Sequence, residues 1–254
     1  MIFIKSKREI ELMRKTCALA RDALLFVGEY VTPGVTTEKL NQLCHDYITE
    51  RGAIPSPLNY HGFPKSICTS LNEVICHGIP SEKHIVRDGD ILNIDVTTCL
   101  DGFHGDTNMT FIVGEVAPEV RKLVEVTYEC LKEGIHQVRP GARIGNIGAV
   151  ILKLASENNY SVVEEYCGHG IGRAFHEEPQ VLHYGKRNTG VVLKEGMTFT
   201  IEPMINMGEK HCELQKDKWT VLTSDRSLSA QFEHTILVTG DGYEVLTLRP
   251  GEVI

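Results

Sequence analysis

Four acids and two histidines carry the chemistry this chain can be read for. Asp95 closes "ILNID", Asp106 lies in "HGDTNMTFIV", Glu202 closes "MTFTIE" and Glu233 sits in "QFEHTILV". "CGHGIGRAFHEEP" places His169 and His176 seven residues apart among glycines. A histidine pair at that spacing can bind metal, hold a substrate or plug a core, so it decides nothing alone. The acids say more. Asp101-Gly102 is the dipeptide of a type I′ hairpin turn. With those two residues as the loop, Leu100 faces Phe103 and Asp106 faces Thr97. Side chains alternate along a strand, so Asp95, Thr97 and Asp106 share one face, the two carboxylates diagonal at about 7–8 Å between backbones. Aspartate is depleted in strands. Two carboxylates about 4 Å apart cost on the order of 4 kcal/mol at an effective dielectric of 20. Either that face is solvated, or something neutralises it.

An internal repeat adds the other two acids. "VTPGVTTEKL" (31–40) matches "VRPGARIGNI" (138–147), and "VRDGDILNID" (86–95) matches "LKEGMTFTIE" (193–202), both at an offset of 107. "CHGI" (76–79) echoes "GHGI" (168–171), pairing His77 with His169. Glu202 falls on the polar side of its run with Thr198 and Thr200, and Glu233 shares a face with Gln231 and Thr235. Duplication superposes Glu202 on Asp95 and brings Glu233 near the place of Asp106. Four carboxylates then meet across a central axis, with His169 beside them. Such an oxygen-rich set, of charge near −4, suits two divalent cations, whereas a structural zinc site uses thiolates in a closed tetrahedron. Paired ions with open positions activate water and polarise a carbonyl.

The elements that must position these residues read as follows. Ser6 and Glu9 form a capping box that opens a helix from about 7 to 30. Pro33-Gly34 breaks the chain, and a second helix runs from about 37 to Gly52. Pro118 suits a first helical position; that helix continues to Pro140-Gly141, and another spans about 144 to 157. β-Branched runs follow each helix pair: "SICTSL", "ILNIDVTT" and "HGDTNMTFIV", then "MTFTIEP", "FEHTILVT" and "YEVLTL". The fold class is α+β, two pseudo-symmetric halves (about 5–113 and 114–248) with a central antiparallel sheet covered by helices. Residues 1–254 form a single catalytic domain.

Composition limits the function classes. The chain has 254 residues, 42% hydrophobic and 24% charged, as ordinary globular proteins do. A formal charge of −8 argues against DNA or RNA as the main partner. The basic knot "KSKR" (5–8) reads as a solvated helix start. No apolar run reaches the roughly 18 residues of a membrane span, and no secretory leader is visible. The 8 cysteines form no C-x-x-C pair; they read as reduced thiols of a cytoplasmic protein, mostly small buried hydrophobes. Gln180 stands where H-E-x-x-H needs its second histidine, and neither a phosphate-binding loop nor a G-x-S-x-G elbow occurs.

Taken together, "YCGHGIGRAFHEEPQVLHY" (166–184) and "YHGFPKSICTSLNEVICHGIP" (60–80) resemble the signature segments of type I methionine aminopeptidases of the bacterial kind, and the resemblance covers nearly the whole chain. It implies the pita-bread fold and metal-dependent removal of the initiator methionine from nascent polypeptides near the ribosome, when the second residue is small. It implies metal ligands at Asp95, Asp106, His169, Glu202 and Glu233 for two divalent ions (cobalt, manganese, iron or zinc). His77 and His176 would flank the scissile bond, and Glu202 would also shuttle a proton. Tyr60, Phe63, Phe175 and Trp219 would line the methionine pocket, and Asn72, Val74 and Ser229 would hold one monovalent cation. The protein is expected to be a monomer. One departure stands out: Pro57 occupies a pocket-rim position where many bacterial relatives carry cysteine. Two alternatives remain open. A proline-directed peptidase of the same fold (aminopeptidase P or prolidase) shares the ligands but usually carries a large N-terminal domain, and a non-catalytic peptide-binding protein typically loses ligands.

Overall fold

Ser6 opens the first helix as the capping box requires, the Glu9 N–H donating to Ser6 Oγ at 3.4 Å and the Ser6 N–H to Glu9 Oε2 at 2.9 Å. In this computed structural model, which describes residues 1–254, α1 spans Lys7–Gly28 and α2 spans Thr37–Thr49. α3 (Pro118–Ile135) starts on proline, whose missing N–H is one that a first turn leaves unpaired. α4 spans Gly145–Glu157. Three helices stop short of the lengths expected from pattern. α1 ends where Gly28 meets Phe111, so closely that an added Cβ would lie 2.6 Å from the ring. The chain leaves α2 through Gly52 at φ +74, and beyond α3 Val138 is buried in the core.

Five strands precede α3: β1 (Ile54–Pro55), β2 (Cys68–Leu71), β3 (Val74–Cys76), β4 (Ile91–Leu100) and β5 (Phe103–Ile112). Ten follow α4, none as long as β4 or β5. They are β6 (Ser161–Val162), β7 (Gly168–Gly170), β8 (Glu177–Val181), β9 (Thr198–Ile201), β10 (Met204–Asn206), β11 (Cys212–Leu214), β12 (Val221–Thr223), β13 (Ser229–Gln231), β14 (His234–Val238) and β15 (Tyr243–Val245). Every pairing is antiparallel. β4 pairs with β5, β2 and β1, while β15, β14, β9, β7 and β8 follow one another in a second sheet. The β4–β5 hairpin has the register expected from its turn: Leu100 opposite Phe103 and Thr97 opposite Asp106, with Asp101 and Gly102 at φ +52 and +77.

Each helix pair buries a separate core. Met13, Cys17, Ala20, Leu24 and Val27 recur at helical spacing along α1 and are wholly buried. Leu24 and Val27 join Leu40, Cys44 and Ile48 of α2 over Ile94 and Val96 of β4. Leu131 and Ile135 of α3 pack with Ile147 and Ile151 of α4 over Phe199, Ile201 and Ile236. Each such side chain contributes about 1.5–3 kcal/mol by burial. Between the two sheets, side chains replace much of the backbone ladder. Thr107 Oγ1 donates to Glu233 O at 2.9 Å, Thr235 Oγ1 to Asp106 O at 2.8 Å, and Thr110 Oγ1 to Gln231 O at 2.8 Å. Buried Arg249 adds its Nη2, donating to Asn108 O at 2.6 Å and Glu233 O at 3.2 Å.

Lys5 departs from the solvated helix start expected of "KSKR". It is buried, and its Nζ donates to Glu177 Oε2 at 2.5 Å beneath the loop that carries His176. Lys7 and Arg8 are exposed as expected. Five cysteines are buried and three half-buried. No helix is long and apolar enough to cross a membrane.

α1 crosses β5 at Gly105, where an added Cβ would lie 2.6 Å from Cys17 N and 2.8 Å from Cys17 Cα. Overpacking of that kind costs typically 1–3 kcal/mol. Gly105→Ala is therefore expected to lower the urea midpoint by a corresponding amount, and an unchanged midpoint would contradict this close approach.

Candidate metal centre

Asp95 and Asp106 project from the β4–β5 hairpin into the seam, His169 comes from β7, Glu202 from the residue after β9, and Glu233 from the break between β13 and β14. Ligand atoms of Asp106, His169 and Glu233 all lie within 4.8 Å of one another. His169 Nε2 stands 3.7 Å from both Asp106 Oδ2 and Glu202 Oε1. Its Nδ1 is 3.0 Å from Gly170 O, an acceptor that puts the proton on Nδ1 and leaves Nε2 as a lone pair facing the acids. The face shared by the hairpin aspartates is not open to solvent: Asp106 is 4% exposed and Asp95 half-buried, and Glu233 across the seam is 1% exposed.

Each acid keeps at least one neutral donor or stands unpaired. Thr97 Oγ1 donates to Asp106 Oδ1, Asn108 Nδ2 to Glu233 Oε2 and Thr200 Oγ1 to Glu202 Oε1, all at 2.7 Å, and Gln231 Nε2 reaches Glu202 Oε2 at 3.3 Å. Asp95 Oδ1 and Glu233 Oε1 are buried with no hydrogen-bond partner. No lysine or arginine pairs with any of the four. Burial therefore pushes Asp95 up to about 7 and Glu202 up to about 8, and it raises Asp106 and Glu233 well above the carboxylate range, with mutual repulsion adding to both. Burial, then the neighbouring His176, lowers His169 to about 3, so its imidazole is neutral. Uncompensated buried carboxylates, two orphaned oxygens and a neutral imidazole lone pair are the donor set that a hard or borderline divalent cation takes.

A cavity of about 320 Å³ opens from this cluster. All the residues expected at the substrate side line it: Tyr60, Phe63, His77, Phe175, His176 and Trp219, with Pro57 at its wall. Tyr60 OH is 2.9 Å from His176 Nδ1, and the His169 and His176 rings lie 4.1 Å apart between centroids. Phe63 meets Trp219 edge-to-face at 5.2 Å. His77 follows β3 with φ +55, a left-handed backbone that is costly for a non-glycine residue and recurs at functional sites. Burial lowers His77 to about 4. Asn72 and Ser229 meet outside the cavity. The Ser229 N–H donates to Asn72 O at 2.9 Å, and Ser229 Oγ is buried without a partner. Val74 opens β3 two residues on.

Several contributors escaped the sequence reading. Asn108 shares the face of Asp106 two residues along β5, so alternation could have found it. Cys68 stands opposite Asp95 in register and lines the cavity with Tyr166 and Met204. His104 stacks on Phe175 at 5.7 Å and 6°. His183, fully buried, accepts the Glu202 N–H at Nε2, 3.1 Å away. It continues the alternation of β8, on the buried face with Pro179 and Val181, but nothing local pairs it with Glu202.

Buried acids and imidazoles meeting over an open cavity, on two helix-covered antiparallel sheets, define a pita-bread metallohydrolase. The chain belongs to metallopeptidase family M24, whose family model matches residues 11–240. It is 54% identical to methionine aminopeptidase of Escherichia coli strain K12 over 254 residues, all of this chain and 96% of that one. The crystal structure of methionine aminopeptidase from Rickettsia prowazekii superposes with a TM-score of 0.96 at 55% identity, covering 98% of this chain and 100% of that one. Prolidase from Pyrococcus furiosus shares the fold, with a TM-score of 0.76 at 24% identity over 96% of this chain and 65% of that one. Family and donor set together establish an enzyme that uses divalent metal.

The shifted groups set a pH signature. Above about pH 4 the unfolded chain has released its carboxylate protons, while the folded chain retains them up to about 7 at Asp95 and about 8 at Glu202. The lowered imidazoles of His77, His169, His176, His183 and His234 oppose this mainly below their unfolded value near pH 6.5. Between about pH 6.5 and 8 the folded state therefore binds more protons, and stability falls as pH rises. Chelated protein is expected to lose Tm across that window, and saturating Mn²⁺ to shrink the loss. A chelated Tm that rose or held level would contradict the burial of these acids.

Proposed function

We propose that the chain is a methionine aminopeptidase of the cytoplasm, acting on N-terminal methionine of nascent polypeptides near the ribosome when the second residue is small. The observation that carries this reading is one cavity in which the carboxylate–imidazole cluster adjoins an apolar wall of Tyr60, Phe63, Phe175, Trp219 and Met204. Aromatic edges and sulfur suit a methionine thioether. Asp95, Asp106, His169, Glu202 and Glu233 would hold two divalent ions, and cobalt, manganese, iron and zinc all accept carboxylate and imidazole donors. Divalent ions in such a site act as Lewis acids and make water nucleophilic at neutral pH.

The chain's own groups do the rest. The Glu202 carboxylate takes the proton from the attacking water and passes it to the leaving amine. His176, its Nδ1 held by Tyr60 OH, turns Nε2 to the substrate carbonyl and stabilises the oxyanion as it develops. His77 hydrogen-bonds the substrate amide. Asn72, Val74 and Ser229 hold one monovalent cation, a role supported by the orphaned Ser229 hydroxyl beside the Asn72 carbonyl. Residues 1–254 work as a single catalytic domain formed by duplication of about 5–113 and 114–248.

A peptide panel with added Mn²⁺ or Co²⁺ tests this. Met-Ala peptides should be cleaved, and Met-Ile peptides should lag roughly ten- to hundred-fold in kcat/KM, since a β-branched side chain must crowd against packed walls. Preference for Xaa-Pro over Met-Ala would overturn the proposal in favour of a proline-directed peptidase. His176→Ala should keep metal affinity while kcat falls about 10²–10³-fold. Asp106→Ala should lose both metal and turnover. A His176→Ala enzyme with near-normal kcat/KM would remove that histidine from the mechanism.

A further inference from the structure

His183 takes no part in the chemistry above, yet its ring touches the Glu202 backbone from a fully buried position. Glu202 occupies an awkward place in the chain. β9 ends at Ile201, where the ladder with β14 closes on the Ile201–His234 pair, and Pro203 follows with no N–H to offer. The Glu202 N–H thus falls outside the ladder, and it donates to His183 Nε2 at 3.1 Å. An imidazole nitrogen that accepts carries no proton, so His183 is the neutral Nδ1–H tautomer. Its Nδ1 meets no protein acceptor. Burial keeps the ring in that form, with its pKa down at about 3.

The ring stands on rigid ground. α4 passes so close that a Cβ on Gly148 would lie 2.3 Å from Tyr184 O and 2.5 Å from Leu182 O, the two backbone neighbours of His183. On the other side, Val181 pairs with Gly168 of β7, next to His169. The Glu202 carboxylate is held at its tip by Thr200 and Gln231. Only His183 fixes the N–H at its root. We propose that His183 is a positioning residue for the metal centre: by accepting the Glu202 N–H it locks the main chain from which that carboxylate faces His169 Nε2, so that the acid is aimed before an ion binds. This rests on the reading of Glu202 as a metal-holding acid.

The test compares three variants of the full chain. Outer partners of metal-holding groups typically matter about 10–100-fold, so His183→Leu should weaken Mn²⁺ affinity by isothermal titration and lower kcat on a Met-Ala peptide by such factors. KM should stay within about threefold, because no substrate contact is lost. His183→Gln places a carbonyl oxygen near the Nε2 position and should recover most of both. His183→Asn, polar but too short to reach the Glu202 N–H, should behave as the leucine variant does, and it stands in if the leucine variant fails to fold. Wild-type Mn²⁺ affinity in folded His183→Leu, or equal behaviour of the glutamine and asparagine variants, would overturn the proposal. Failure of the peptidase reading looks different: wild-type enzyme would then bind Mn²⁺ without cleaving Met-Ala.

Discussion

Four carboxylates packed against one another, Asp106 and Glu233 buried and Asp95 and Glu202 half-buried, with no cationic side chain paired to any of them, are the constraint to which the rest of the molecule answers. Left charged together they would repel strongly in a low-dielectric interior, so in the absence of cations the folded chain holds protons there. The surrounding polar groups hold the acids without neutralising them. Thr97, Asn108, Thr200 and Gln231 donate single neutral hydrogen bonds, which orient a carboxylate and leave its charge for a cation. Arg249 is the buried cation closest in role, and it spends its Nη2 on backbone carbonyls and the Thr107 hydroxyl rather than on the acids.

The seam follows from the same constraint. Acids from both sheets must meet at one place, so β5 has to lie beside the chain around β13 and β14 without a continuous ladder. Threonine hydroxyls and the Arg249 fork supply hydrogen bonds to the buried carbonyls of Asp106, Asn108, Gln231 and Glu233 along it. Close approach of α1 at Gly105 and of α4 at Gly148 then clamps the two sheets from outside. The cavity opens where the seam is not filled, and the aromatic part of its apolar wall comes from loops rather than from strands: Tyr60, Phe63, Phe175 and Trp219 all lie outside the sheet ladders.

How much of this was legible depends on how local its cause is. Asp101-Gly102 dictates a turn, the turn dictates a register, and the register put Asp106 opposite Thr97 and on the face of Asp95. Glycine and proline punctuation located all four helices, though their ends moved where Gly28 met Phe111 or where the chain dropped into the core. Alternation was less use beyond the first hairpin, because Thr198 to Ile201 are buried on both faces. Glu233 sits in a strand break that no period describes. Lys5 read as a solvated charge, since its partner Glu177 is 172 residues away. His183 was invisible for the same reason: its role depends on a backbone N–H orphaned by Pro203, a fact of the fold alone.

The most direct measurement is the proton count of metal binding. Titrating chelator-stripped protein with Mn²⁺ at pH 6.5 in buffers of different ionisation enthalpy gives the number of protons released per ion. Binding to acids that hold protons must displace them, and Glu202, pushed up to about 8, and Asp95, pushed up to about 7, hold theirs at that pH, with Asp106 and Glu233 shifted in the same direction. Release of one or more protons per ion, shrinking as the pH is raised past 8, is the predicted result. Binding with no proton release at pH 6.5 would mean that the four acids are already ionised, and would contradict a cluster kept charged only by the cation it holds.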